Sequence, residues 1–383
     1  MKRTYKYRLY PSKQQENVLT QWLTTCRLLY NNSLAERMEA WKTMRRTVTY
    51  TEQANQLKNA KKSNPNLRSI HSQVLQDVLR RLDKAFKNFF KRMKIGKKAG
   101  YPRFKGKNRY DSFTYPQSGF TLKKKTLTLS RIDKVNIKLH RPIPSEGIIK
   151  TCTIKRDVDR WYACFSVELP EGKPSTTCLL REVKQIGIDV GLKSLLTLSS
   201  GGIVENPRWF KRTEKKLAKG QRSLSRKRKG SNNREGQRIK VARLHRRVRN
   251  QRKDFHHKIS RELVKTYDLI VFENLTIKNM VKNPHLAKSI ADAAWGQLIR
   301  FTQYKAEEAG MRVKYVAPRG TSQVCSGCGS IISKTLAVRV HECPYCELVL
   351  DRDVNAAINI LGRSSSGQEL PVEPVRHIPL GNG

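Results

Sequence analysis

The first hydrophobic pattern in the chain repeats every two residues. RTYKYRLY, at residues 3–10, places tyrosine and leucine on one face and basic residues on the other, which predicts a strand ending at Pro11. Ser12 and Gln15 then have the spacing of a helix capping box. Hydrophobic residues at helical spacing follow as Val18, Leu19, Trp22, Leu23 and Cys26, then in residues 34–44, and then as Val74, Val78, Leu82, Phe86, Phe89 and Met93.

From residue 96 the composition changes to Gly, Pro, Lys and aromatic residues, and the pattern becomes one of short alternating runs. Strands at this spacing predict a small barrel or sandwich. The strand at 3–10 has no neighbouring partner in the sequence, so we expect it to join this barrel with the helices inserted between. An independent N-terminal arm is the alternative. The predicted strands are 112–115, 120–122, 127–129, 135–139, 148–156 and 161–169.

After a polar linker near 170–175 the pattern changes again. Three short strands predict a meander, and the elements after it alternate between helix and strand. Three strands, helix, strand, helix, strand, helix is the element order of the RNase H fold. The predicted elements are strands 185–190, 195–198 and 203–205, a basic helical region 209–266 broken near 230–232, strand 269–273, helix 295–308, strand 312–316 and a helix after Asp353.

These patterns predict a multidomain α+β protein. Its fold class is an RNase H-like nuclease domain with an inserted zinc ribbon, plus an N-terminal β-barrel that carries an inserted helical module. The predicted domains are the barrel at 1–11 and 96–180, the helical module at 12–95, the nuclease domain at 181–320 and 351–362, the zinc ribbon at 321–350 and a disordered tail at 363–383.

Three carboxylates stand at the ends of predicted elements. Asp189 ends the first strand of the meander, Glu273 ends the fourth strand, and Asp353 begins the last helix. Converging acids of this kind hold two divalent ions about 4 Å apart, which suits phosphodiester hydrolysis, and the hard oxygen ligands favour Mg²⁺. The alternative is that each residue only caps a turn or a helix. Asp351 competes for the third place. Asp353 is preferred because Asn355, Ala356 and Ala357 after it permit close approach of the helix start to the sheet, whereas Asp351 lies nearer the cysteine pairs.

Four of the eight cysteines form two pairs with zinc-knuckle spacing. Cys325 and Cys328 are separated from Cys343 and Cys346 by fourteen residues, and glycine and proline supply the knuckle turns. A closed set of four thiolates predicts one structural zinc ion, with a redox pair as the alternative. The length of the chain argues against a secreted disulfide framework.

The charge of the chain points to a polyanion as partner. A formal net charge of +47 over 383 residues would be strongly self-repelling without one. An anionic membrane surface is the alternative, but no apolar run approaches the ~18 residues that span a bilayer, and no signal-peptide core follows Met1. We therefore expect a cytoplasmic protein associated with the nucleoid and with no membrane partner.

Residues 211–253 concentrate the positive charge and contain only two acids, Glu214 and Glu235. Such a segment is expected to contact phosphates, which gives affinity and salt dependence but no sequence choice. Aromatic residues in 101–113 are expected either to stack on bases or to fill the barrel core. The candidate phosphate contacts are Arg226, Lys227, Arg228, Lys229, Arg246 and Arg247.

Several motifs together resemble the TnpB proteins encoded by bacterial insertion sequences, relatives of the type V CRISPR effectors. The resemblance covers nearly the whole chain. The motifs are RLYPSKQQ at 8–15, GYPRFKG at 100–106, IGIDVGLKSLLTL at 186–198, VFENLTIKNM at 271–280, SIADAAWG at 289–296, TSQVCSGCG at 321–329 and CPYCELVLDRDVNAAINIL at 343–361.

The resemblance implies an RNA-guided DNA endonuclease. Such a protein binds a guide RNA derived from the transposon end, recognises a short motif flanking the target through its wedge-like barrel and helical module, and cuts both DNA strands at one RuvC-like site. Asp189, Glu273 and Asp353 carry over as the catalytic acids, and Tyr50 and Gln76 fall where the helical module can face the flanking motif. We expect the RNA complex to be monomeric.

Two rival functions remain at this stage. The first is a nuclease-inactive relative that uses guide RNA only to occupy DNA and repress transcription, which the loss of an acid would mark; all three acids are present. The second is a DDE-type transposase that joins strands without RNA, but it explains neither the zinc ribbon before the third acid nor the large positive charge.

Overall fold

The structure is a computed structural model that describes residues 2–107, 109–170, 183–335 and 338–365. The chain divides into two compact units, residues 1–171 and 172–383. The predicted linker near 170–175, from residue 171 on, and the predicted border between barrel and nuclease domain at 180/181 lie outside the described residues.

The first unit contains seven strands in one antiparallel sheet. The strands are β1 (Lys2–Tyr10), β2 (Ser112–Tyr115), β3 (Phe120–Leu122), β4 (Thr126–Leu129), β5 (Asp133–Lys138), β6 (Ile148–Asp157) and β7 (Arg160–Glu168). Their order in the sheet is β2-β6-β7-β1-β5-β4-β3. Because β1 pairs with both β5 and β7, the prediction that the N-terminal strand joins this sheet is confirmed, and an independent arm is excluded.

The two edge strands of this sheet approach each other through side chains. The ring centroid of Tyr115 on β2 lies 6.5 Å from that of Phe120 on β3, and the Tyr115 hydroxyl donates a hydrogen bond to the Ser130 carbonyl at 3.1 Å. No backbone ladder joins β2 to β3 within the described part of the chain. The sheet is therefore curled, and full closure into a barrel stays a prediction.

Four helices stand between β1 and β2: α1 (Lys13–Met44), α2 (Tyr50–Ser63), α3 (Pro65–Arg68) and α4 (Ser72–Lys94). The predicted capping box of Ser12 and Gln15 is present at the start of α1. The two stretches of helical spacing in the sequence, one ending at Cys26 and the second at 34–44, belong to this one helix and not to two. Tyr30 and Leu34 continue the buried stripe, no Gly or Pro interrupts it, and the helix ends only where Arg45 adopts a left-handed φ of 52°.

Helix α2 was missed by the hydrophobic pattern because only two of its side chains, Gln53 and Leu57, are buried. A local signal was present in the sequence. Thr49 and Glu52 have N-cap spacing, and the Thr49 side chain accepts a hydrogen bond from the Glu52 backbone N–H. Tertiary burial of a single leucine and the buried amide of Gln53 complete the helix.

The second unit is built on a five-stranded sheet. Its strands are β8 (Gln185–Val190), β9 (Ser194–Leu198), β10 (Ile203–Glu205), β11 (Leu269–Glu273) and β12 (Arg312–Val316), in the order β10-β9-β8-β11-β12. The first three form an antiparallel meander, whereas β11 is parallel to both β8 and β12. The predicted strands are thus present in their predicted positions.

The helices of this unit are α5 (Trp209–Ser225), α6 (Asn232–Thr266), α7 (Ile277–Met280), α8 (Pro284–Ala293), α9 (Trp295–Ala309) and α10 (Arg352–Ser365). The break predicted near 230–232 separates α5 from α6. The short helices α7 and α8 were not predicted. Among the described residues, no helix is long and apolar enough to cross a membrane.

Two short strands, β13 (Val340–Glu342) and β14 (Val349–Asp351), pair in the cysteine region just before α10. Helix α10 continues to Ser365, so the predicted disordered tail began three residues too early. Arg363 is held in the helix by hydrogen bonds to the carbonyls of Ala317 and Arg319, at 2.7 and 2.8 Å. The rest of that predicted tail lies outside the described residues.

Candidate active site

Asp189 and Glu273 are brought side by side by two parallel strands. In the ladder of β8 and β11, Phe272 pairs with Ile188, so the next residue of each strand is the acid. Both acids stand at the C-terminal edge of the sheet, which we call the catalytic edge. In parallel strands, residues at the same register project to the same side, and this places the two carboxylates together.

The electrostatics of the two acids reflect this placement. Burial, followed by the negative charges of Glu273 and Asp353, raises the pKa of Asp189 to about 7. Burial also raises the pKa of Glu273, although a hydrogen bond from Thr321 and the charge of Arg363 oppose the rise. Buried carboxyl groups that repel one another favour either a proton or a bound cation.

At the start of α10, Asp351 and Asp353 have different partners. The Asp351 carboxylate accepts hydrogen bonds from the backbone N–H groups of Asp353 and Val354, at 2.8 and 3.4 Å, and so caps the helix. The half-buried Asp353 carboxylate forms ion pairs with Arg352 at 3.0 Å and Arg339 at 3.6 Å. Its charge also acts on Asp189. The two acids therefore have different environments, and the choice of Asp353 as the third acid stays a prediction.

Gly187 fixes the distance between α10 and the sheet. A Cβ atom at this position would lie 2.1 Å from the Ala357 carbonyl oxygen and 2.8 Å from the Leu361 backbone nitrogen. Ala356 and Ala357 are themselves buried. The absence of a side chain at Gly187 permits this close contact of α10 with β8, and the small buried Ala356 and Ala357 are compatible with it.

A row of polar side chains on α10, spaced four residues apart, holds residues 317–326. We call these residues the lead-in segment because they lead from β12 into the first cysteine knuckle. Asn355 donates to the Val324 carbonyl at 2.8 Å and accepts from the Ser326 N–H at 2.9 Å, and Asn359 donates to the Thr321 and Val324 carbonyls at 2.8 and 2.7 Å. The buried Thr321 hydroxyl donates in turn to the Glu273 carboxylate. The lead-in segment thus connects α10 to Glu273.

Two further residues organise the loops beside Asp189. The Trp295 indole N–H donates to the Gly191 carbonyl at 3.1 Å, two residues after the acid. The Asp292 carboxylate accepts from the Phe210 and Lys211 backbone N–H groups, at 2.9 and 3.3 Å, and so caps α5. Both belong to the SIADAAWG motif. Their roles were not predicted because each depends on a partner about a hundred residues away.

The four cysteine thiols lie together, with all sulfur atoms within 4.8 Å of one another. The Cys325–Cys346 and Cys328–Cys343 sulfur pairs are 3.6 and 3.5 Å apart. A tetrahedral zinc ion with Zn–S bonds of about 2.3 Å requires sulfur separations of about 3.8 Å, so the cluster fits this ion. The site is compatible with the predicted structural zinc.

The two knuckles have the same backbone design. In each, the residue after the second cysteine is left-handed, Gly329 with φ 79° and Glu347 with φ 57°. The Gly329 and Glu347 N–H groups donate to the carbonyls of the first cysteines, Cys325 and Cys343, at 3.0 and 2.9 Å. Glycine suits this conformation better than glutamate.

Among the described residues, these cysteines form the one group of His, Cys, Asp or Glu side chains whose ligand atoms are gathered this closely. The three carboxylates share an electrostatic environment but are not drawn together to the same degree. The ion pairs of Asp353 with Arg352 and Arg339 help to explain this difference.

Most of the predicted phosphate contacts lie in or near the turn between α5 and α6. Arg226, Arg228 and Lys229 are exposed there, and Lys227 is half-buried. On α6, Arg247 is exposed, but Arg246 is only 7% exposed. Arg246 faces the packed side of the helix, and its burial contradicts the prediction that it contacts phosphate. Charge counting cannot distinguish the two neighbouring arginines, although they point in different directions.

Tyr50 and Gln76 are both half-buried in the helical part of the first unit, on α2 and α4. The Tyr50 hydroxyl accepts a hydrogen bond from the Arg80 guanidinium at 3.2 Å, and that guanidinium lies 5.7 Å from the Tyr50 ring centroid. Gln76 and Arg80 are four residues apart and share one helix face. The structure thus adds an exposed cation to the two predicted residues.

Comparison with known proteins identifies the relatives of this chain. Residues 165–284 match the family OrfB_IS605, described as "Probable transposase", and residues 295–360 match the "Cas12f1-like, TNB domain". Residues 1–46 match a "Helix-turn-helix domain" of the same family, although here they comprise β1 and one uninterrupted stretch of α1.

Two relatives match nearly end to end. A Streptomyces pristinaespiralis protein named "Putative RNA-guided DNA endonuclease" is 39% identical over 94% of this chain and 89% of its own length. An Escherichia coli K12 protein named "Putative RNA-guided DNA endonuclease InsQ" is 32% identical over 98% of each. A solved Cas12f1-sgRNA-target DNA complex covers 95% of this chain and 100% of its own at 18% identity, but its TM-score of 0.36 is too low to carry an argument.

The matched family models and the two near end-to-end relatives agree on one class of protein, and the mixed α/β fold and the four-cysteine cluster are compatible with it. The chain belongs to the TnpB family, as its sequence motifs indicated.

Proposed function

We propose that this chain is an RNA-guided DNA endonuclease that hydrolyses both strands of a target duplex at Asp189, Glu273 and Asp353. One observation carries the proposal: the charges of Glu273 on β11 and Asp353 on α10 act on Asp189, which lies on β8 at the same edge of the sheet as Glu273. The names of relatives that match almost the whole chain support the same activity.

We further propose that the second unit has an RNase H-like, RuvC-type fold. Its meander β10-β9-β8 followed by the parallel strands β11 and β12 supports this assignment. The curled sheet of the first unit supports a wedge-like barrel, and helices α1 to α4 would form its recognition module. Tyr50, Gln76 and Arg80 are the candidate contacts to a short motif flanking the target.

The carboxylates fit divalent magnesium. Their oxygens are hard ligands, and buried like charges of this kind would be relieved by a cation. When bound, Mg²⁺ supplies the Lewis acidity that activates water and neutralises the scissile phosphate, and two ions suit this chemistry. Asp189 would lose its proton to serve as a ligand, while Thr321 holds the orientation of Glu273.

Arg352 and Arg339 have a defined place in this proposal. They pair with Asp353 in the structure, so a cation that takes this carboxylate as a ligand competes with both ion pairs. The cysteine cluster would hold a structural zinc ion. By fixing the cysteine region, this ion would also fix the lead-in segment, whose hydrogen bonds hold α10 and Glu273 in position.

The partners that we propose are a guide RNA from the transposon end and the target DNA, bound by a single copy of the chain. The net charge of +47 supports large polyanionic partners. The exposed residues of the α5–α6 turn are candidate phosphate contacts.

The proposal is tested by copurifying the protein with RNA transcribed from its own transposon end and offering it a matched plasmid. We expect cleavage that requires both the RNA and a divalent cation. Asp189→Ala should bind the RNA normally and fail to cut. Cleavage without RNA would refute RNA guidance, and target binding without cleavage by the unaltered protein would indicate a nuclease-inactive repressor.

A further inference from the structure

A second feature of the catalytic edge is a basic cleft beside the carboxylates. It has a volume of about 510 Å³ and is formed by the β8–β9 turn, the end of β10 and the start of α5. Four cationic side chains and one acid line it, together with polar and proline residues. The residues used below are Lys193, Glu205, Asn206, Arg208, Lys211 and Arg212.

The topology of the sheet places this cleft on the same edge as Asp189. Lys193 follows Asp189 by four residues, which span at most about 14 Å even when fully extended. Strand β10 is antiparallel to β9, which is antiparallel to β8, so β10 runs in the direction of β8. Its last residue, Glu205, therefore leads to the catalytic edge as well.

The walls of the cleft are fixed by hydrogen bonds. Asn206 donates to the Leu192 carbonyl at 3.0 Å and accepts from the Arg208 N–H at 3.2 Å, which joins the two loops. The Phe210 and Lys211 N–H groups in the first turn of α5 already donate to Asp292. The groups through which the cleft would attract an anion are its cationic side chains.

Those side chains are available. Lys193, Arg208 and Lys211 are exposed, and none of them forms an ion pair within the described part of the chain. By contrast, Lys288 pairs with Glu214 and Arg238 pairs with Glu235 in the same unit. None of the described residues that line the cleft is aromatic, so its lining offers contacts for a phosphate backbone rather than a stacking surface for a base.

Arg208 has an unusual backbone for its residue type. Its φ of 50° lies in the left-handed region, which glycine adopts without strain. An arginine at this position holds a cation at the cleft at some conformational cost. The same geometry makes Arg208→Gly a substitution that removes the charge and preserves the backbone.

We propose that the basic cleft binds the phosphodiester backbone of the single DNA strand being cut, a few nucleotides from the scissile bond. This inference rests on the proposed function and specifies where its substrate lies. The shared edge favours the cut strand over the guide RNA, because any strand whose phosphate reaches Asp189 must continue across this edge.

The first test compares two double variants in complex with guide RNA. Arg208→Gly with Lys211→Gln removes two charges from the cleft. Lys215→Gln with Lys216→Gln removes two exposed charges further along α5, outside the cleft. We expect the cleft variant to cut about tenfold more slowly at moderate salt, with the slope of log rate against log salt reduced by about 1.4. Its affinity for guide RNA should be unchanged.

The second test locates the phosphates involved. Single neutral methylphosphonates are placed along the cleaved strand near the cut. One or two positions should slow the unaltered protein several-fold yet have no further effect on the cleft variant, as expected for a contact that both changes remove. Equal sensitivity of both proteins at every position would overturn the proposal.

Other outcomes are equally informative. A parallel loss of guide RNA affinity would assign the cleft to RNA and overturn the inference. Cleavage equal to that of the Lys215/Lys216 control would do the same. If the unaltered protein with RNA does not cut at all, the proposed function itself fails, which is distinguishable from failure of the cleft alone.

Discussion

The cysteine cluster and the carboxylate cluster are two candidate metal sites that come within seven residues of each other in the sequence, at Cys346 and Asp353, and they are organised in opposite ways. The cysteine sulfur atoms are gathered within 4.8 Å, and two of them, Cys328 and Cys346, are exposed. The carboxylates come from distant elements, and burial together with the charges of Glu273 and Asp353 raises the pKa of Asp189 to about 7.

The cysteine site is assembled mainly by local turns, whereas the carboxylate site is assembled by tertiary contacts. Each knuckle is a short turn that places two thiols by itself, so only two turns have to meet. The carboxylates depend on a parallel ladder, on the absence of a side chain at Gly187 and on the lead-in segment. The first arrangement suits a permanent structural ion, whereas the second suits ions that are exchanged during catalysis.

The largest expected effect separates two neighbouring acids of the carboxylate site. Asp353→Asn should lower cleavage roughly a thousandfold because it removes a proposed metal ligand. Asp351→Asn should change it by about twofold at most, since asparagine caps a helix as well as aspartate does. Cleavage rates of both variants at saturating guide RNA provide the measurement. Equal losses would mean that the third ligand is not Asp353.

Loss of zinc from the cysteine cluster is expected to lower the cleavage rate indirectly, by disturbing the carboxylate site. Cys343→Ser, or removal of zinc by a chelator, should release the lead-in segment and slow cleavage about 10–100-fold. Guide RNA binding should remain, and returning zinc to the chelated protein should restore the rate. An unaltered rate in protein shown to be free of zinc would contradict the link through Asn355, Asn359 and Thr321.

Gly187→Ala should disturb the carboxylates while leaving the thiols in place. The new Cβ would overlap the Ala357 carbonyl, at 2.1 Å, and force α10 away from β8. We expect a loss of about 1–3 kcal/mol in the free energy of unfolding, with a lower cleavage rate and unchanged zinc content. Gly236→Ala on α6, where a Cβ meets no atom within 4 Å, is the matched control and should not destabilise. Unfolding curves of the two variants decide the matter.

A fourth effect is confined to the stability of the magnesium-free protein and depends on pH. The pKa of Asp189 is raised from 3.8 to about 7, so the folded state binds a proton more tightly than the unfolded state does. This contribution to stability is complete below about pH 4 and is lost as the pH rises to about 7. Asp189→Asn stays neutral, so its advantage should grow over that window to at most about 4 kcal/mol. Melting temperatures at several pH values, without divalent ions, would show a constant difference if this account is wrong.

Local sequence patterns predict several features of both candidate sites. The two pairs of cysteines predict the ribbon because a two-residue gap between cysteines is the spacing that a knuckle turn requires. Asp189 and Glu273 were predicted to lie at strand ends because the hydrophobic pattern of each strand stops at or next to the acid. The Ser12 capping box was predicted for the same reason: every partner lies within three residues.

The contacts that orient the site were hidden for the opposite reason. Thr321 acts on Glu273 across 48 residues, and Arg363 binds backbone carbonyls 44 and 46 residues earlier, so neither has a local signature. Arg363 was even assigned to a disordered tail because its neighbours are Ser and Gly. The burial of Arg246 beside the exposed Arg247 depends on how α6 packs, which composition does not encode.

The central claim is that the three carboxylates form a divalent metal site distinct from the zinc cluster. Binding of Mn²⁺, a spectroscopic substitute for Mg²⁺, to the zinc-loaded protein–RNA complex tests it directly by electron paramagnetic resonance. At about pH 8, where Asp189 is ionised, the unaltered protein should bind Mn²⁺ at least about tenfold more tightly than Asp189→Asn, with equal zinc content in both. Equal Mn²⁺ binding by the two proteins would contradict the account.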